Sequence, residues 1–233
     1  MTTAVLEQTD LGSATARADR ASGFTFSPLL AALPGASPVA SEAVRTLRSS
    51  FMVRHVQAGR RAAAVCGATA GVSCTLTAVN LAVSLAQIGI KTLLVDADMR
   101  NPGVDQLIRP SAPVRGLADC LSSEDLPLHD AIEPDVLPNL SVLFAGAAAN
   151  PQELLAGSRF EEVMALCLRE YEATIVDTPP ASLSADARQV SRVVGYSLIV
   201  ARTNASYVHD LKVLLEQLRE DHVRIIGTVL NEG

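Results

Sequence analysis

The chain has few aromatic side chains and almost no lysine. Aromatic residues make up 3% of its 233 residues, tryptophan is absent, and the only lysines are Lys91 and Lys212. With 48% apolar residues, the core must be built from Ala, Val, Leu and Ile. The net charge of −6 lacks the basic footprint that is typical of nucleic-acid-binding proteins. The length suffices for one α/β domain with a substantial core.

Paired cysteines and long apolar runs are also missing. Four cysteines (Cys66, Cys74, Cys120 and Cys167) are scattered without a Cys-x-x-Cys pair, which argues against a zinc site and fits a reducing cytoplasm. No apolar run reaches the roughly 18 residues that a membrane span needs. The N-terminus does not show the charged-then-apolar pattern of a signal peptide. We therefore expect a cytoplasmic protein that must be recruited to act at a membrane.

The chain divides into a tail and one domain. Residues 1–37 are rich in Ala, Thr, Ser and Gly, which predicts a disordered, flexible tail. Residues 38–233 form the predicted domain. It begins with an amphipathic helix, because Val44, Leu47 and Phe51 recur at helical spacing.

Strands and helices then alternate. The predicted strands are short, nearly continuous apolar runs, as expected where both faces of a sheet are covered: 61–66, 92–95, 140–144, 173–176, 197–201 and 225–230. Helical patterns lie between them, at 75–87, 158–170, 185–194 and 207–219. This alternation predicts an α/β fold with a doubly wound, mostly parallel sheet. Ligands of such sheets bind beyond the carboxyl ends of the strands.

A segment with the outline of a phosphate-binding loop joins the first apolar strand to the following helix. Such a loop normally ends in Gly-Lys-Ser/Thr. Here Ser73 stands at the glycine position and Cys74 at the lysine position, while Thr75 stays in register. Losing the lysine charge should weaken phosphate binding at least roughly tenfold. The candidate nucleotide-binding segment is Ala68, Thr69, Ala70, Gly71, Val72, Ser73, Cys74 and Thr75.

Three carboxylates follow apolar strands. Asp96 and Asp98 come after the strand at 92–95, and Asp177 comes after the strand at 173–176. Mg²⁺ prefers hard oxygen ligands, which these side chains, the Thr75 hydroxyl and nucleotide phosphates would supply together. The alternative is that the acids cap helices or face solvent.

The missing lysine leaves two questions open. Lys91 opens a strand and lies some 15 Å from the site at the wrong end of the sheet, so Arg100 and Arg202, which follow strands on the ligand side, are the candidate replacements. Cys74 is either a small residue tolerated where lysine was lost, or a thiol activated by the helix N-terminus.

These motifs together resemble the cytoplasmic domain of bacterial tyrosine kinases of capsule and exopolysaccharide systems, within the wider P-loop class of MinD- and ParA-type ATPases. Residues 93–100 match the family's apolar-Asp-x-Asp-x-Arg segment, and residues 174–180 match its Walker B segment. Glu42, Arg45 and Arg48 match its Glu-x-x-Arg-x-x-Arg oligomerisation helix. The resemblance covers residues 38–233.

The resemblance implies a site that binds ATP or ADP with Mg²⁺, weakly or not at all given the lost lysine. Asp96 and Asp98 would be catalytic, and Thr75, Asp96 and Asp177 would hold the metal. Arg100 and Arg202, the candidate replacement cations, also match ordinary family positions. Glu42 of one protomer would pair with Arg45 and Arg48 of the next in a ring, although a merely solvated helix face is the alternative. The partner would be the cytoplasmic tail of a membrane polysaccharide chain-length determinant, which would hold the domain at the inner membrane.

Two departures from the family lead to three hypotheses. Besides the lysine, the family's tail of clustered tyrosines is missing; Tyr171, Tyr196 and Tyr207 are the only tyrosines, and we predict structural roles for them. The first hypothesis is a regulatory, kinase-deficient component of capsule, exopolysaccharide or holdfast polysaccharide biosynthesis and export. The second is an active ATP-dependent tyrosine kinase or ATPase of the same pathway. The third, a MinD- or ParA-like positioning ATPase, is disfavoured because position 69 lacks the second P-loop lysine.

Overall fold

A computed structural model describes residues 23–123 and 125–232 of the chain. Its strands are β1 (Phe24–Phe26), β2 (Ala62–Gly67), β3 (Thr92–Asp96), β4 (Ile108–Pro110), β5 (Glu133–Leu137), β6 (Leu140–Leu143), β7 (Ala173–Asp177), β8 (Tyr196–Arg202) and β9 (Arg224–Asn231). Its α-helices are α1 (Pro38–Arg54), α2 (Cys74–Ala86), α3 (Val104–Leu107), α4 (Leu117–Ser122), α5 (Pro151–Ala156), α6 (Ser158–Glu170), α7 (Asp186–Val194) and α8 (Val208–Glu220). Within the described residues, no helix combines the length and apolar character needed to cross a bilayer.

Seven strands form one sheet in the order β5-β6-β3-β7-β2-β8-β9. All neighbours are parallel except β5 and β6. Buried apolar clusters cover both faces of this sheet. The predicted doubly wound, mostly parallel sheet is therefore confirmed. Each predicted strand, and each of the four helices predicted between the strands, begins and ends within one residue of the predicted position.

Three strands were not predicted. β5 begins Glu-Pro-Asp and buries few of its residues, because it lies at the sheet edge and pairs only with β6. The strands β1 and β4 pair with each other, outside the main sheet, over three residues each. Such short or polar segments do not produce the apolar runs from which the other strands were recognised.

The predicted flexible tail, residues 1–37, includes residues that belong to the folded domain. Its first 22 residues lie outside the described part, but residues 23–37 pack against the domain. Phe24 stacks on Phe144 with 6.3 Å between ring centroids, and Leu30 is only 1% exposed. The Asn80 side chain accepts a hydrogen bond from the backbone N–H of Ala32. Burial of this short apolar segment fixes it, and the sequence pattern alone did not distinguish it from the preceding residues.

Candidate functional site

The loop between β2 and α2 has the predicted strand–loop–helix setting. Its start is held by the segment after β7, where the N–H groups of Ala181 and Ser182 donate to the carbonyls of Gly67 and Ala68, both at 2.9 Å. Gly71 has a positive φ of 77°, which glycine adopts readily. Residues 68–75 therefore form a fixed loop at the carboxyl edge of the sheet.

Ser73 keeps a backbone shape suited to glycine. Its φ of 70° lies in the left-handed region, and its side chain makes no capping hydrogen bond to α2. Its carbonyl instead accepts hydrogen bonds from the Thr77 N–H and hydroxyl, at 3.0 and 2.9 Å. A left-handed conformation costs an L-residue roughly 1–2 kcal/mol, so the replacement of glycine strains the loop.

Cys74 begins α2 with its side chain packed inward. It is 9% exposed, and a Cβ atom added to Gly67 would lie 2.7 Å from its sulfur. Burial, followed by the charge of Asp177, raises the pKa of the Cys74 thiol well above its usual value. Burial and the raised pKa argue against the activated-thiol alternative, because a nucleophilic cysteine needs solvent access and a lowered pKa.

Asp96 and Asp177 lie side by side at the ends of β3 and β7. The Asp96 carboxylate accepts hydrogen bonds from the backbone N–H groups of Asp98, Gly103 and Val104 at 3.0–3.2 Å. Burial raises the pKa of Asp96 to about 6, although these hydrogen bonds lower it in part. Asp96 thus organises the loop that follows β3, including the start of α3.

Asp177 has no such partners. It is fully buried, and neither carboxylate oxygen has a hydrogen bond with acceptable geometry. Burial and then the neighbouring Asp96 raise the pKa of Asp177 well above its usual value, and the Thr75 side chain and the Thr178 backbone offset part of the rise. A buried acid without partners is costly, so this position is unfavourable for the folded protein alone.

Asp98 is the one member of the predicted acidic trio that lines the cleft above the loop. It is 7% exposed, and its Oδ1 accepts a hydrogen bond from the Asn101 N–H at 3.0 Å. Burial raises its pKa. Asp96 and Asp177 lie behind the cleft wall, so the three acids share one edge of the sheet but not one surface.

Arg100 is held by an acid that the sequence did not single out. Its Nε donates to Asp186 Oδ2 at 2.6 Å, with a second, longer contact at 3.4 Å from Nη2 to Oδ1. Asp186 lies in the first turn of α7 and is 1% exposed. The pairing joins residues 86 positions apart, which no local sequence pattern indicates.

Arg202 reaches the loop itself. It ends β8, and its Nη1 donates to the Gly71 carbonyl at 3.1 Å. Its backbone N–H is held by the Ser206 hydroxyl at 2.9 Å. The structure thus separates the two predicted replacement cations: one faces a carboxylate, the other the phosphate-binding loop.

The cleft over the loop has a volume of about 550 Å³. Besides the predicted loop, Asp98 and both arginines, it is lined by Leu29 and Leu183, which are 66% and 69% exposed. Leu29 comes from the segment assigned to the tail, and Leu183 from the loop after the Walker B segment. Sequence reasoning missed both, since single exposed leucines carry no signal of a site.

A metal ion would depend on groups beyond the protein's acids. Among residues 23–123 and 125–232, no three His, Cys, Asp or Glu side chains are placed to hold a metal. The donors present are nevertheless of the right kind for Mg²⁺, because Asp177 has unpartnered oxygens and the Thr75 side chain acts on it. Nucleotide phosphates and water would have to complete such a site.

The predicted oligomerisation motif lies on α1. The Arg45 Nε contacts Glu42 Oε2 of the same helix at 2.8 Å, and both side chains are more than half exposed. Arg48 instead donates to the Ser84 carbonyl on α2 at 3.3 Å. Two of the three residues are thus accessible to a neighbour, and Arg48 is partly engaged within the chain.

The tyrosine prediction needs a correction. Tyr171 is 6% exposed, and Tyr196 packs edge-on against His55, so both are structural. Tyr207, just before α8, is 72% exposed. A structural role does not fit it, because so little of its ring is buried.

Known proteins that resemble this chain in sequence or structure share its fold. The AAA domain family matches residues 61–224. The kinase domain of the Escherichia coli tyrosine kinase ETK is 30% identical and superimposes with a TM-score of 0.80, over 87% of this chain and 79% of that one. The chain belongs to the bacterial tyrosine-kinase domain family.

Curated relatives of this kinase-domain protein include the tyrosine-protein kinase wzc of Salmonella typhi, 30% identical over 87% of the chain. The chain spans only 28% of the length of that relative. The putative tyrosine-protein kinase CapB of Staphylococcus aureus is 29% identical, over 82% of this chain and 84% of its own length. Kinase domains of similar extent to this chain therefore occur as a small protein and within a much longer one.

Proposed function

We propose that this chain is a regulatory, kinase-deficient tyrosine-kinase-like component of bacterial capsule, exopolysaccharide or holdfast polysaccharide biosynthesis and export. The observation that carries the proposal is Cys74, a buried neutral thiol at the P-loop position where the family has lysine. A thiol is a weak neutral donor and cannot replace an ammonium charge against phosphate.

The domain would act by contact rather than by rapid turnover. The cytoplasmic tail of a membrane chain-length determinant would be the partner and would hold the domain beside the inner membrane. Glu42 and Arg45, both exposed on α1, would contact the next protomer of a ring. Mass photometry with and without the partner tail tests this assembly: Glu42→Ala with Arg45→Ala should lower the mass of the largest species.

The retained acids support a second candidate, an active ATP-dependent tyrosine kinase or ATPase of the same pathway. A fully buried carboxylate without partners, as at Asp177, is unfavourable for folding and suits a site completed by a ligand. Thr75 and Asp177 would hold Mg²⁺, with Asp96 ordering the adjoining loop. When bound, the metal would neutralise part of the phosphate charge.

In this second candidate, Asp98 would accept the proton of an attacking hydroxyl group. It lines the cleft, and burial moves its pKa upward, toward the range in which a carboxylate is an effective base near neutral pH. The Thr69 hydroxyl, buried in the loop without a partner, would be a free donor for a phosphate oxygen.

A kinase assay with the purified chain and the partner's cytoplasmic tail separates the two candidates. The regulatory proposal predicts no phosphotyrosine above the level of Asp98→Asn, and recovery of ATP turnover in Cys74→Lys with Ser73→Gly. A rate for the unaltered chain that approaches an intact family kinase, and that disappears in Asp98→Asn, would establish the second candidate instead.

A further inference from the structure

The phosphate-binding loop has lost its own cation, and the described structure shows where positive charge remains near it. Cys74, at the lysine position, is neutral and packed toward Gly67. Neither lysine lines the cleft: Lys91 precedes β3 at the opposite edge of the sheet and contacts the Tyr171 ring, and Lys212 lies within α8. Among the described residues that line the cleft, the cations are Arg100 and Arg202.

The two arginines differ in what neutralises them. Arg100 faces the nearly fully buried Asp186 carboxylate, so the field of its charge in the cleft is largely cancelled. Arg202 has no carboxylate within salt-bridge distance in the described structure, and its contact is the neutral Gly71 carbonyl. A guanidinium has five N–H donors, so one bond to a carbonyl leaves others for an anion.

The position of Arg202 in the fold also suits the binding of an anion over the loop. It ends β8, which pairs directly with β2, the strand that leads into the loop. Its head group is tied to the loop backbone at Gly71, two residues before Ser73. An arginine held there is already oriented before a ligand arrives, which reduces the entropy lost on binding.

We infer that Arg202 has taken over the charge function of the missing P-loop lysine and binds the phosphates of a nucleoside di- or triphosphate in this cleft. The inference rests on the proposed function only in that it places nucleotide phosphates over the loop. It concerns binding rather than turnover, so it holds equally for a kinase-deficient and an active domain.

The test is a calorimetric titration of the full chain with Mg-ADP, using matched arginine variants. Arg202→Gln should weaken binding at least about tenfold, the loss expected for one hydrogen bond to a charged group. Arg202→Lys should restore part of the affinity, because it returns the charge without the fork geometry. Arg61→Gln is the control: it makes the same change in an arginine that donates to a carbonyl, that of Leu168, at the opposite edge of the sheet, and should bind like the unaltered chain.

A rescue experiment makes the assignment specific. Adding Cys74→Lys to Arg202→Gln should recover the lost affinity, since it returns a cation to the loop by another route. Thermal melts of every variant establish that binding is compared between folded proteins.

Three outcomes would overturn the inference. Equal affinity of Arg202→Gln and the unaltered chain would show that the guanidinium is not used, and would leave the proposed function standing. A loss in Arg100→Gln but not in Arg202→Gln would assign the role to the other arginine. Binding by Cys74→Lys, but not by the unaltered chain, would show that nothing has replaced the lysine.

Discussion

Asp96 and Asp177 occupy paired positions on adjacent parallel strands, yet only the Asp96 carboxylate has hydrogen bonds of good geometry. The backbone of the β3–α3 loop donates to Asp96, whereas the buried oxygens of Asp177 have only weaker interactions with the Thr75 side chain and the Thr178 backbone. Two carboxylates so close together in a low-dielectric environment disfavour ionisation. The two neighbouring carboxylates therefore destabilise the folded protein, and binding of a cation or a proton would remove part of this destabilisation.

The first prediction is that Asp177→Asn stabilises the protein at neutral and alkaline pH, because the neutral amide removes a charge that burial and the neighbouring Asp96 disfavour. The expected gain is roughly 1–3 kcal/mol, the scale of the desolvation penalty of a buried group. The raised pKa of Asp177 means that the native chain binds a proton more readily than the unfolded chain. The unaltered chain thus gains stability as pH falls, and the advantage of the asparagine variant should shrink on acidification. Urea unfolding at several pH values measures this.

Asp105→Asn, an exposed acid in the first turn of α3, is the control and should change stability little. A destabilised Asp177→Asn at alkaline pH would mean that the interactions of the carboxylate with the Thr75 side chain and the Thr178 backbone outweigh the cost of its charge.

The second prediction concerns Ser73. Replacing it with glycine should raise the free energy of unfolding by about 0.5–1 kcal/mol, because relief of the left-handed strain exceeds the added freedom of the unfolded chain. Ser49→Gly is the same replacement at an exposed position inside α1 and should destabilise by about 0.5 kcal/mol. The opposite signs of the two effects are the test, measured by urea unfolding.

The third prediction uses His55. Burial is the main reason why its pKa is lowered from 6.5 to about 4, and Nε2 lies 2.8 Å from the Ala62 carbonyl. The unfolded chain therefore takes up this proton at a higher pH than the native chain. The stabilising contribution is complete above about pH 6.5 and is lost as the pH falls toward 4.

His55→Phe should remove the pH-dependent stabilisation that comes from the lowered pKa of His55. The free energy of unfolding of the unaltered chain should therefore fall relative to that of the variant as the pH falls from 7 to 4. The exposed His209 provides the control, since His209→Gln should leave the pH dependence unchanged. Parallel curves for the unaltered chain and His55→Phe would contradict the prediction.

The fourth prediction concerns tyrosine modification. An active tyrosine kinase of the same family, mixed with this chain, should phosphorylate Tyr207 and leave Tyr171 unmodified, because the first is 72% and the second 6% exposed. Mass-spectrometric mapping with Tyr207→Phe and Tyr171→Phe measures this. Phosphate on Tyr171 would show that the domain opens locally during the reaction.

Much of the fold could be predicted from the sequence. Continuous apolar runs such as those of β2 and β7 predicted a sheet covered on both faces, since only strands buried on both sides need them. The segment from Ala68 to Thr75, placed between β2 and α2, predicted the loop. The absence of lysine at Cys74 was likewise plain from residue identity and spacing, which are local properties.

Only the tertiary structure decided what each side chain does. The sequence treated Arg100 and Arg202 alike, because both follow strands, and their difference depends on a distant partner, Asp186, that long-range packing brings to one of them. The contrast between Asp96 and Asp177 depends in the same way on the backbone of the β3–α3 loop. Hydrogen bonding and desolvation are set by neighbours in space, so the sequence fixes which groups are present and the fold fixes their charge and availability.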